Sequence, residues 1–251
     1  MGRPVLRILC FGDSLTSGYF RWGCGSKPYS EVLSSRLQAE FPDLEVKVTT
    51  DGVPGDVASH PRFYDRFRRQ FSSQFTYDWV IVLCGTNDIA IRASDNSIYS
   101  GLRATWDYAL SKRSKVLALT IPETSFSADW VTMARDDVNT RILDHKAPQY
   151  YAFDLKSHIP YANLTEDERS LYWDDGVHLT DDGYDWMGGH IADHLIPLIA
   201  ANPPVEETPV KPTARRQRRT RSNDEVVWEE EEGNPKQINQ GYVIVRRRDL
   251  D

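Results

Sequence analysis

This 251-residue chain has few cysteines, no long apolar run and no Gly-x-Ser-x-Gly motif, and each lack excludes a class of protein. The three cysteines are widely separated and form no CxxC pair, which excludes a disulfide framework and a cysteine zinc module. We therefore expect free thiols and an intracellular, cytoplasmic protein. The apolar stretch Pro4–Phe11 is too short for a membrane span or a signal peptide. Without Gly-x-Ser-x-Gly, the nucleophile elbow of one large class of serine enzymes is also excluded.

Charge divides the chain into two regions. The formal net charge is −7, and residues 1–202 carry all of it, because basic and acidic residues balance from position 203 onward. An acidic main region argues against nucleic acid or anionic lipid as a partner. The later segment contains clustered prolines, a basic run at Arg215–Arg221 and an acidic run at Glu229–Glu232. We predict a folded domain over residues 1–202 and a charged, disordered C-terminal tail over 203–251.

Short apolar segments alternate with longer amphipathic segments over the first 200 residues, the pattern of a parallel α/β protein. The predicted strands are Val5–Cys10, Leu44–Thr49, Trp79–Cys84, Lys115–Thr120 and Tyr151–Leu155. The predicted helices are Tyr29–Phe41, 61–75, Ser97–Lys112, Ala128–His145 and a closing helix from the N-cap Thr180 to about Ala200. This pattern predicts a three-layer α/β/α sandwich with a five-stranded parallel, flavodoxin-like sheet. In such a sheet, ligands bind beyond the carboxyl ends of the strands.

A serine follows the first predicted strand, and a histidine precedes the closing helix. Ser14 lies in Gly12-Asp13-Ser14-Leu15, where a strand-to-helix turn presents the side chain at the carboxyl edge of the sheet. A serine nucleophile needs a base that a third group orients, and Asp175-Gly176-Val177-His178 supplies both. Taken alone, each segment is more often a structural turn. We interpret Asp13 as a support of the turn without a catalytic role.

Two further segments offer hydrogen-bond donors at the same edge. The apolar strand that stops at Gly85 places Asn87 there, and its amide suits a developing oxyanion. In Gly52-Val53-Pro54-Gly55, the Pro-Gly pair predicts a type II turn with Gly55 at positive φ, which leaves the Gly55 N–H free to face the site. A lone asparagine is more often a helix cap, and the turn by itself would carry no functional meaning.

In this order, the four segments resemble the blocks of the SGNH hydrolases, which include the GDSL-type esterases and lipases. The resemblance covers residues from about 5 to 200 and is specific because four separate blocks coincide. It implies Ser14 as the nucleophile, His178 as the general base and Asp175 as its partner, with no cofactor or metal. It also implies an oxyanion hole that consists of the Ser14 and Gly55 N–H groups and the Asn87 amide.

The implied activity is hydrolysis of a small-molecule carboxylic ester through an acyl-enzyme on Ser14, with small or short-chain acyl groups expected. A carbohydrate acetylesterase and an acyltransferase stay open as alternatives on the same site. Thr50 departs from the family pattern, which often has asparagine there, and this puts the hydrogen-bond support of the loop in question. Aromatic residues near the motifs are candidates for a pocket or for the core: Tyr19, Phe20, Trp22, Phe63, Tyr64, Tyr172 and Trp173.

Two competing functions have some support in the sequence. His190 and His194 are four residues apart on the closing helix, but no third metal ligand is evident. The other alternative is a non-catalytic binding module that acts through its basic tail. The run Arg215–Arg221 is typical of a nuclear-import or RNA-contact segment. We favour the alternative of a solvated, disordered run that the following glutamates partly neutralise.

Overall fold

The computed structural model describes residues 3–72 and 76–203, and five parallel strands form its central sheet. The strands are β1 (Val5–Gly12), β2 (Tyr19–Phe20), β3 (Gly25–Ser26), β4 (Glu45–Gly52), β5 (Trp79–Leu83), β6 (Lys115–Leu119) and β7 (Tyr150–Phe153). The sheet order is β4–β1–β5–β6–β7, while β2 and β3 form a separate antiparallel hairpin. This order is the flavodoxin-like arrangement that the sequence predicts.

Helices cover both faces of the sheet. They are α1 (Ser14–Ser17), α2 (Ser30–Glu40), α3 (Pro61–Arg69), α4 (Thr86–Ala90), α5 (Asp95–Ser111), α6 (Asp129–Asp144), α7 (Leu155–His158), α8 (Glu166–Tyr172) and α9 (Asp181–Ala201). Thr180 caps α9 as predicted, since its hydroxyl accepts a hydrogen bond from the Gly183 N–H at 3.0 Å. The α/β sandwich is thus confirmed.

The side chains of β1 alternate between two apolar layers, as the period of a strand requires. Leu6 and Ile8 pack into the layer that contains the apolar residues of α2 and α9. Leu9 and Phe11 pack into the opposite layer, with the apolar residues of α3, α5 and α6. All side chains of β5 are buried, which explains its uninterrupted apolar sequence.

The helix predicted over 61–75 is shorter than expected, because α3 ends at Arg69. The chain leaves the helix through two tight i→i+3 bonds, from the Gln70 N–H to the Phe67 carbonyl (3.0 Å) and from the Phe71 N–H to the Arg68 carbonyl (3.3 Å). The ring of Phe71 then packs edge-on against Phe67, with 5.2 Å between the ring centroids. An aromatic contact, which sequence periodicity does not register, accompanies the end of this helix.

The segment 203–251 lies outside the described residues, apart from Pro203, so the disordered tail and its run Arg215–Arg221 stay predictions. None of the described helices combines the length and the apolar character that crossing a membrane requires. All three cysteines are unpaired, with Cys10 and Cys84 buried and Cys24 exposed.

Candidate active site

The carboxyl ends of three neighbouring strands converge at glycines. Gly12 of β1 is in register with Gly52 of β4 on one side and with Leu83 of β5 on the other. A Cβ atom on Gly12 would lie 2.0 Å from the Leu83 carbonyl oxygen, and one on Gly52 would lie 2.2 Å from the Ser17 nitrogen. Because glycine occupies both positions, the loops after these strands pack backbone against backbone.

Ser14 is the first residue of α1, directly beyond the end of β1, and is 6% exposed. Asp13 caps the helix, since its Oδ1 accepts a hydrogen bond from the Leu15 N–H at 3.0 Å. Burial raises the pKa of Asp13 to about 7; the Leu15 hydrogen bond opposes this rise, and the charge of Asp88 adds to it. The residue before Ser14 therefore has a carboxyl group that is partly neutral near pH 7.

The histidine of the second motif lies against this serine. The Nε2 atom of His178 is 2.9 Å from the Ser14 Oγ, and its Nδ1 is 2.8 Å from the Asp175 Oδ2. The other carboxylate oxygen of Asp175 accepts hydrogen bonds from the N–H groups of His178 (2.8 Å) and Val177 (3.0 Å). Burial raises the pKa of Asp175, but the hydrogen bonds from His178 and Val177 outweigh it, so that the net pKa is lowered. Asp175 thus presents a charged oxygen to the imidazole.

Two hydrogen bonds connect the loop that carries Asp175 and His178 to neighbouring segments of the domain. Asp174 accepts a hydrogen bond from the Arg21 N–H at 2.6 Å, and the Gly176 carbonyl accepts one from the Ser125 N–H at 2.7 Å. The ring of Tyr19 lies 4.7 Å from the ring of His178, centroid to centroid. The hairpin after α1 and the loop after β6 therefore flank the histidine.

The two predicted side-chain and backbone donors lie on neighbouring loops. Gly55 has φ = +78°, and the Asp56 N–H bonds the Val53 carbonyl at 3.1 Å, as expected of a type II turn. A Cβ atom on Gly55 would meet nothing within 4 Å, so backbone conformation rather than space favours glycine here. Asn87, in the first turn of α4, donates from Nδ2 to the Asp56 carbonyl at 3.0 Å. An amide nitrogen carries two hydrogens, so Asn87 can donate a second hydrogen bond.

Arg66 of α3 ties the strand ends together, a role that sequence reasoning missed. It donates from Nη2 to the Gly12 carbonyl (2.7 Å), from Nη1 to the Asp51 carbonyl (2.9 Å) and from Nε to the Asp56 carboxylate (3.0 Å). The guanidinium also forms an ion pair with the Asp51 carboxylate and lies 3.9 Å from the centre of the Phe11 ring. One arginine among several on a short helix gives no sequence signal of such a role.

Asp88 provides a second support that the sequence did not single out. Its fully buried carboxylate accepts hydrogen bonds from the N–H groups of Ala58 and Ser59, both at 2.8 Å, and so ties the loop after β4 to α4. Thr50 takes no part in this support, because its hydroxyl lies 2.6 Å from the Ser30 hydroxyl of α2. Asp88 and Arg66 therefore supply the loop support that the Thr50 departure put in question.

An apolar pocket of about 410 Å³ opens beside the histidine and Asn87. Besides these two, its lining residues are Thr86, Ile89, Ala90, Ile121, Thr124, Phe126, Trp130, Val131, Arg135 and Val177. The aromatic lining residues, Phe126 and Trp130, come from the segment after β6, which sequence reasoning passed over because it contains no motif. The pocket thus lies between α4, α6 and the histidine loop.

The aromatic candidates from the sequence have other roles, with one exception. Tyr19 contacts the histidine, whereas the others form no part of the pocket lining. Phe20, Phe63 and Trp173 are buried in the two core layers, and Trp22 is 84% exposed. Tyr64 and Tyr172 contact other aromatic rings, those of Tyr108 and Trp186.

The histidine pair of the closing helix is packed among aromatic rings. His194 stacks on Phe153 at 4.5 Å between centroids, and His190 lies 5.4 Å from His158. Across the described ranges, no three His, Cys, Asp or Glu side chains are grouped so that they could hold a metal ion. The alternative of a metal hydrolase thus gains no support from these residues.

The chain is similar to known proteins in sequence and in fold. The model of the GDSL-like Lipase/Acylhydrolase family matches residues 10–186. No curated protein matches the sequence. Similar solved structures include a lipolytic protein of the G-D-S-L family from Veillonella parvula, with a TM-score of 0.60, 19% identity and coverage of 78% of this chain and 98% of that chain.

A lipase/acylhydrolase from Enterococcus faecalis is similar with a TM-score of 0.60 and 18% identity, over 77% of this chain and 96% of that chain. An acetylxylan esterase from Geobacillus stearothermophilus is similar with a TM-score of 0.60 and 17% identity, over 78% of this chain and 96% of that chain. At these identities, the likeness concerns the fold.

Proposed function

The chain belongs to the GDSL-like lipase/acylhydrolase family, and we propose that it is a serine esterase that cleaves small or short-chain carboxylic esters through an acyl-enzyme on Ser14. The observation that carries this proposal is the continuous hydrogen-bonded series Asp175–His178–Ser14, with contacts of 2.8 and 2.9 Å. A serine hydroxyl next to an oriented imidazole is suited to attack on a carbonyl carbon.

During acylation, the His178 imidazole acts first as a base and then as an acid. The Ser14 Oγ forms a bond with the ester carbonyl carbon while its proton moves to the His178 Nε2. The Asp175 carboxylate stabilises the imidazolium that results. When the tetrahedral intermediate collapses, the bond between the carbonyl carbon and the alcohol oxygen breaks, and His178 gives its proton to the departing alcohol.

Deacylation repeats these steps with water. His178 takes a proton from water, whose oxygen attacks the acyl carbon, and then returns that proton to the Ser14 Oγ as the acid leaves. In both halves, the charge on the carbonyl oxygen is stabilised by the Asn87 amide and by the N–H groups of Gly55 and Ser14. The turn at Gly55 and the second Asn87 hydrogen support this assignment.

The test is hydrolysis of 4-nitrophenyl esters from acetate to octanoate by the full chain and by Ser14→Ala. We expect the highest kcat/KM for the short acyl groups and loss of activity in Ser14→Ala, with an unchanged circular dichroism spectrum. An acetylated xylan in the panel tests the carbohydrate alternative that the name of one structural neighbour suggests. Equal rates for the wild type and Ser14→Ala would contradict the proposal.

In this proposal, the catalytic domain spans residues 1–202, and the protein acts inside the cell, where its unpaired cysteines stay reduced. Deletion of 203–251 is then expected to leave kcat/KM unchanged. A binding module that acts through Arg215–Arg221 would instead lose its localisation or its RNA contact on deletion and show no Ser14-dependent hydrolysis. The two measurements separate the two functions.

A further inference from the structure

A buried arginine belongs to the lining of the apolar pocket beside the histidine. Arg135 of α6 is 4% exposed, although most of its neighbours in the lining are apolar. Its Nη2 donates to the Thr124 hydroxyl at 3.2 Å, and its Nε is buried without a hydrogen-bond partner among residues 3–72 and 76–203. A guanidinium has five N–H donors, and the Nε donor of Arg135 is one that stays unused within the described part of the chain.

The carboxylates whose charge raises the pKa of Arg135, those of Glu123 and Asp136, bond to other residues. Glu123 accepts hydrogen bonds from the N–H groups of Tyr161 (2.9 Å) and Ala162 (3.0 Å). Asp136 pairs with Lys156 at 2.5 Å. In the part of the chain that the structure describes, no carboxylate oxygen lies within 4.0 Å of the Arg135 nitrogens. Burial lowers the pKa of Arg135, and Glu123 and Asp136 oppose this, but an arginine stays charged at neutral pH.

An unpaired cation in such a place needs an explanation. Taking a charge out of water costs several kcal/mol unless a partner of opposite charge is present, and structural arginines in protein interiors are normally paired. Most of the other lining residues are apolar and favour hydrocarbon. A ligand that meets both requirements has an apolar segment with an anionic end, and carboxylates suit the forked donors of a guanidinium.

We propose that the pocket binds an ester that carries a carboxylate a short hydrocarbon segment away from the ester group, with Arg135 as the residue that binds the carboxylate. This inference rests on the proposed function, since the reacting end of the pocket is defined by His178 and Asn87. A monoester of a short dicarboxylic acid is the simplest substrate of this class. Arg135 then determines specificity and takes no part in proton transfer.

The test compares esters that differ only by a terminal carboxylate. Monomethyl glutarate and methyl valerate have acyl chains of equal length, one ending in a carboxylate and the other in a methyl group. The acetate ester of 4-hydroxybutyrate and butyl acetate form the matching pair for the alcohol side. We expect kcat/KM to favour the carboxylate by roughly 10–100-fold in one pair, the range for a hydrogen bond between charged groups. The pair that shows the preference identifies which side of the ester enters the pocket.

Three variants separate charge from packing. Arg135→Met removes the charge and is expected to abolish the preference, while Arg135→Lys restores part of it. Thr124→Val removes the hydrogen-bond acceptor but keeps the charge, so the preference is expected to persist. If Arg135 served only to hold the segment after β6, Thr124→Val would have the same effect as Arg135→Met. Arg141→Met is the control on the same helix, because Arg141 pairs with Asp95 outside the pocket and no effect is expected.

Binding to the Ser14→Ala protein gives a readout that does not depend on catalysis. Calorimetry with monomethyl glutarate and methyl valerate, and with the alcohol-side pair, measures the preference even if no ester is hydrolysed. Binding of one carboxylated ester that Arg135→Met abolishes supports the inference, whatever the fate of the esterase proposal. Equal binding and equal hydrolysis within both pairs would overturn the inference and leave the esterase proposal intact. A preference that Arg92→Gln removes but Arg135→Met does not would also overturn it, because Arg92 lies over Trp130 at the same pocket.

Discussion

The two halves of the candidate site are held in different ways. The strand-end loops (residues 12–18, 52–59 and 85–88) are joined by glycine contacts and by the hydrogen bonds of Arg66 and of the buried Asp88. The histidine loop (residues 174–179) has hydrogen bonds within itself, single bonds to Arg21, Ser125 and Ser14, and one core residue, Leu179. In the first half, substitutions are therefore expected to change both stability and activity. In the second half, they are expected to change activity with little effect on stability.

The largest expected effect is on the histidine loop. His178→Ala is expected to reduce kcat by about 10⁵–10⁶, as loss of the base does in serine hydrolases, with a change in unfolding free energy within about 1 kcal/mol. His60→Ala is the matched control, because His60 caps α3 through a 3.2 Å bond from the Arg62 N–H. We expect this control to lose about 1 kcal/mol of stability and little activity. Ester kinetics and urea titration measure both, and a loss of stability in His178→Ala clearly larger than that of the control would break the comparison.

Asn87→Ala tests the strand-end loops. Loss of an oxyanion donor is expected to reduce kcat by roughly 10²–10³. The variant also loses the 3.0 Å bond to the Asp56 carbonyl, so stability is expected to fall by about 1 kcal/mol. The same kinetic and urea measurements apply. A variant with full turnover would show that Asn87 only ties the two loops together.

Arg66→Met sharpens the comparison further, since Arg66 holds the strand ends without touching Ser14, His178 or Asp175. Its removal leaves Asp51 and Asp56 without a cation, and we expect a loss of about 2–3 kcal/mol in unfolding free energy. Arg62→Met on the exposed face of the same helix is expected to change it by less than about 0.5 kcal/mol. Similar urea midpoints for the two variants would show that the strand ends do not depend on Arg66.

The smallest effect is the pH dependence of stability that Asp13 contributes. The pKa of Asp13 is raised to about 7 in the folded state, so the proton on Asp13 stabilises the folded protein. This stabilisation is complete below about pH 4 and is lost as the pH rises through 7. Asp13→Asn keeps the shape without the charge, and its stability relative to the wild type is expected to increase by about 2 kcal/mol between pH 5 and pH 8. Asp137→Asn, on the exposed side of α6, is the control. Parallel stability–pH curves for the Asp13 variant and the wild type would contradict the neutral Asp13.

Sequence reasoning predicted candidate residues in the turns that follow strands, because strand periodicity and turn chemistry are local properties. Ser14, Gly55 and Asn87 are of this kind, and the histidine loop has its own Asp-Gly signal. The fold followed from the same alternation of strands and helices.

Sequence reasoning missed Arg66 and Asp88 because their hydrogen-bond partners are distant along the chain. It missed Arg135 as well. The Arg66 guanidinium bonds a carbonyl 54 positions away, and Asp88 accepts from a loop about 30 positions away. Arg135 is notable only because its surroundings are apolar, which requires knowledge of the packing. Composition and local pattern contain none of this information.

The separation of 164 positions between the Ser14 hydroxyl and the His178 imidazole has a consequence for biosynthesis. A ribosome delivers the serine early and the histidine near the end of the domain, just before α9 is made. Until that last segment emerges, the growing polypeptide contains a hydroxyl without a proton acceptor. If Ser14 is the nucleophile, as proposed, ester hydrolysis is expected only after residues 174–179 have been synthesised and His178 has reached Ser14.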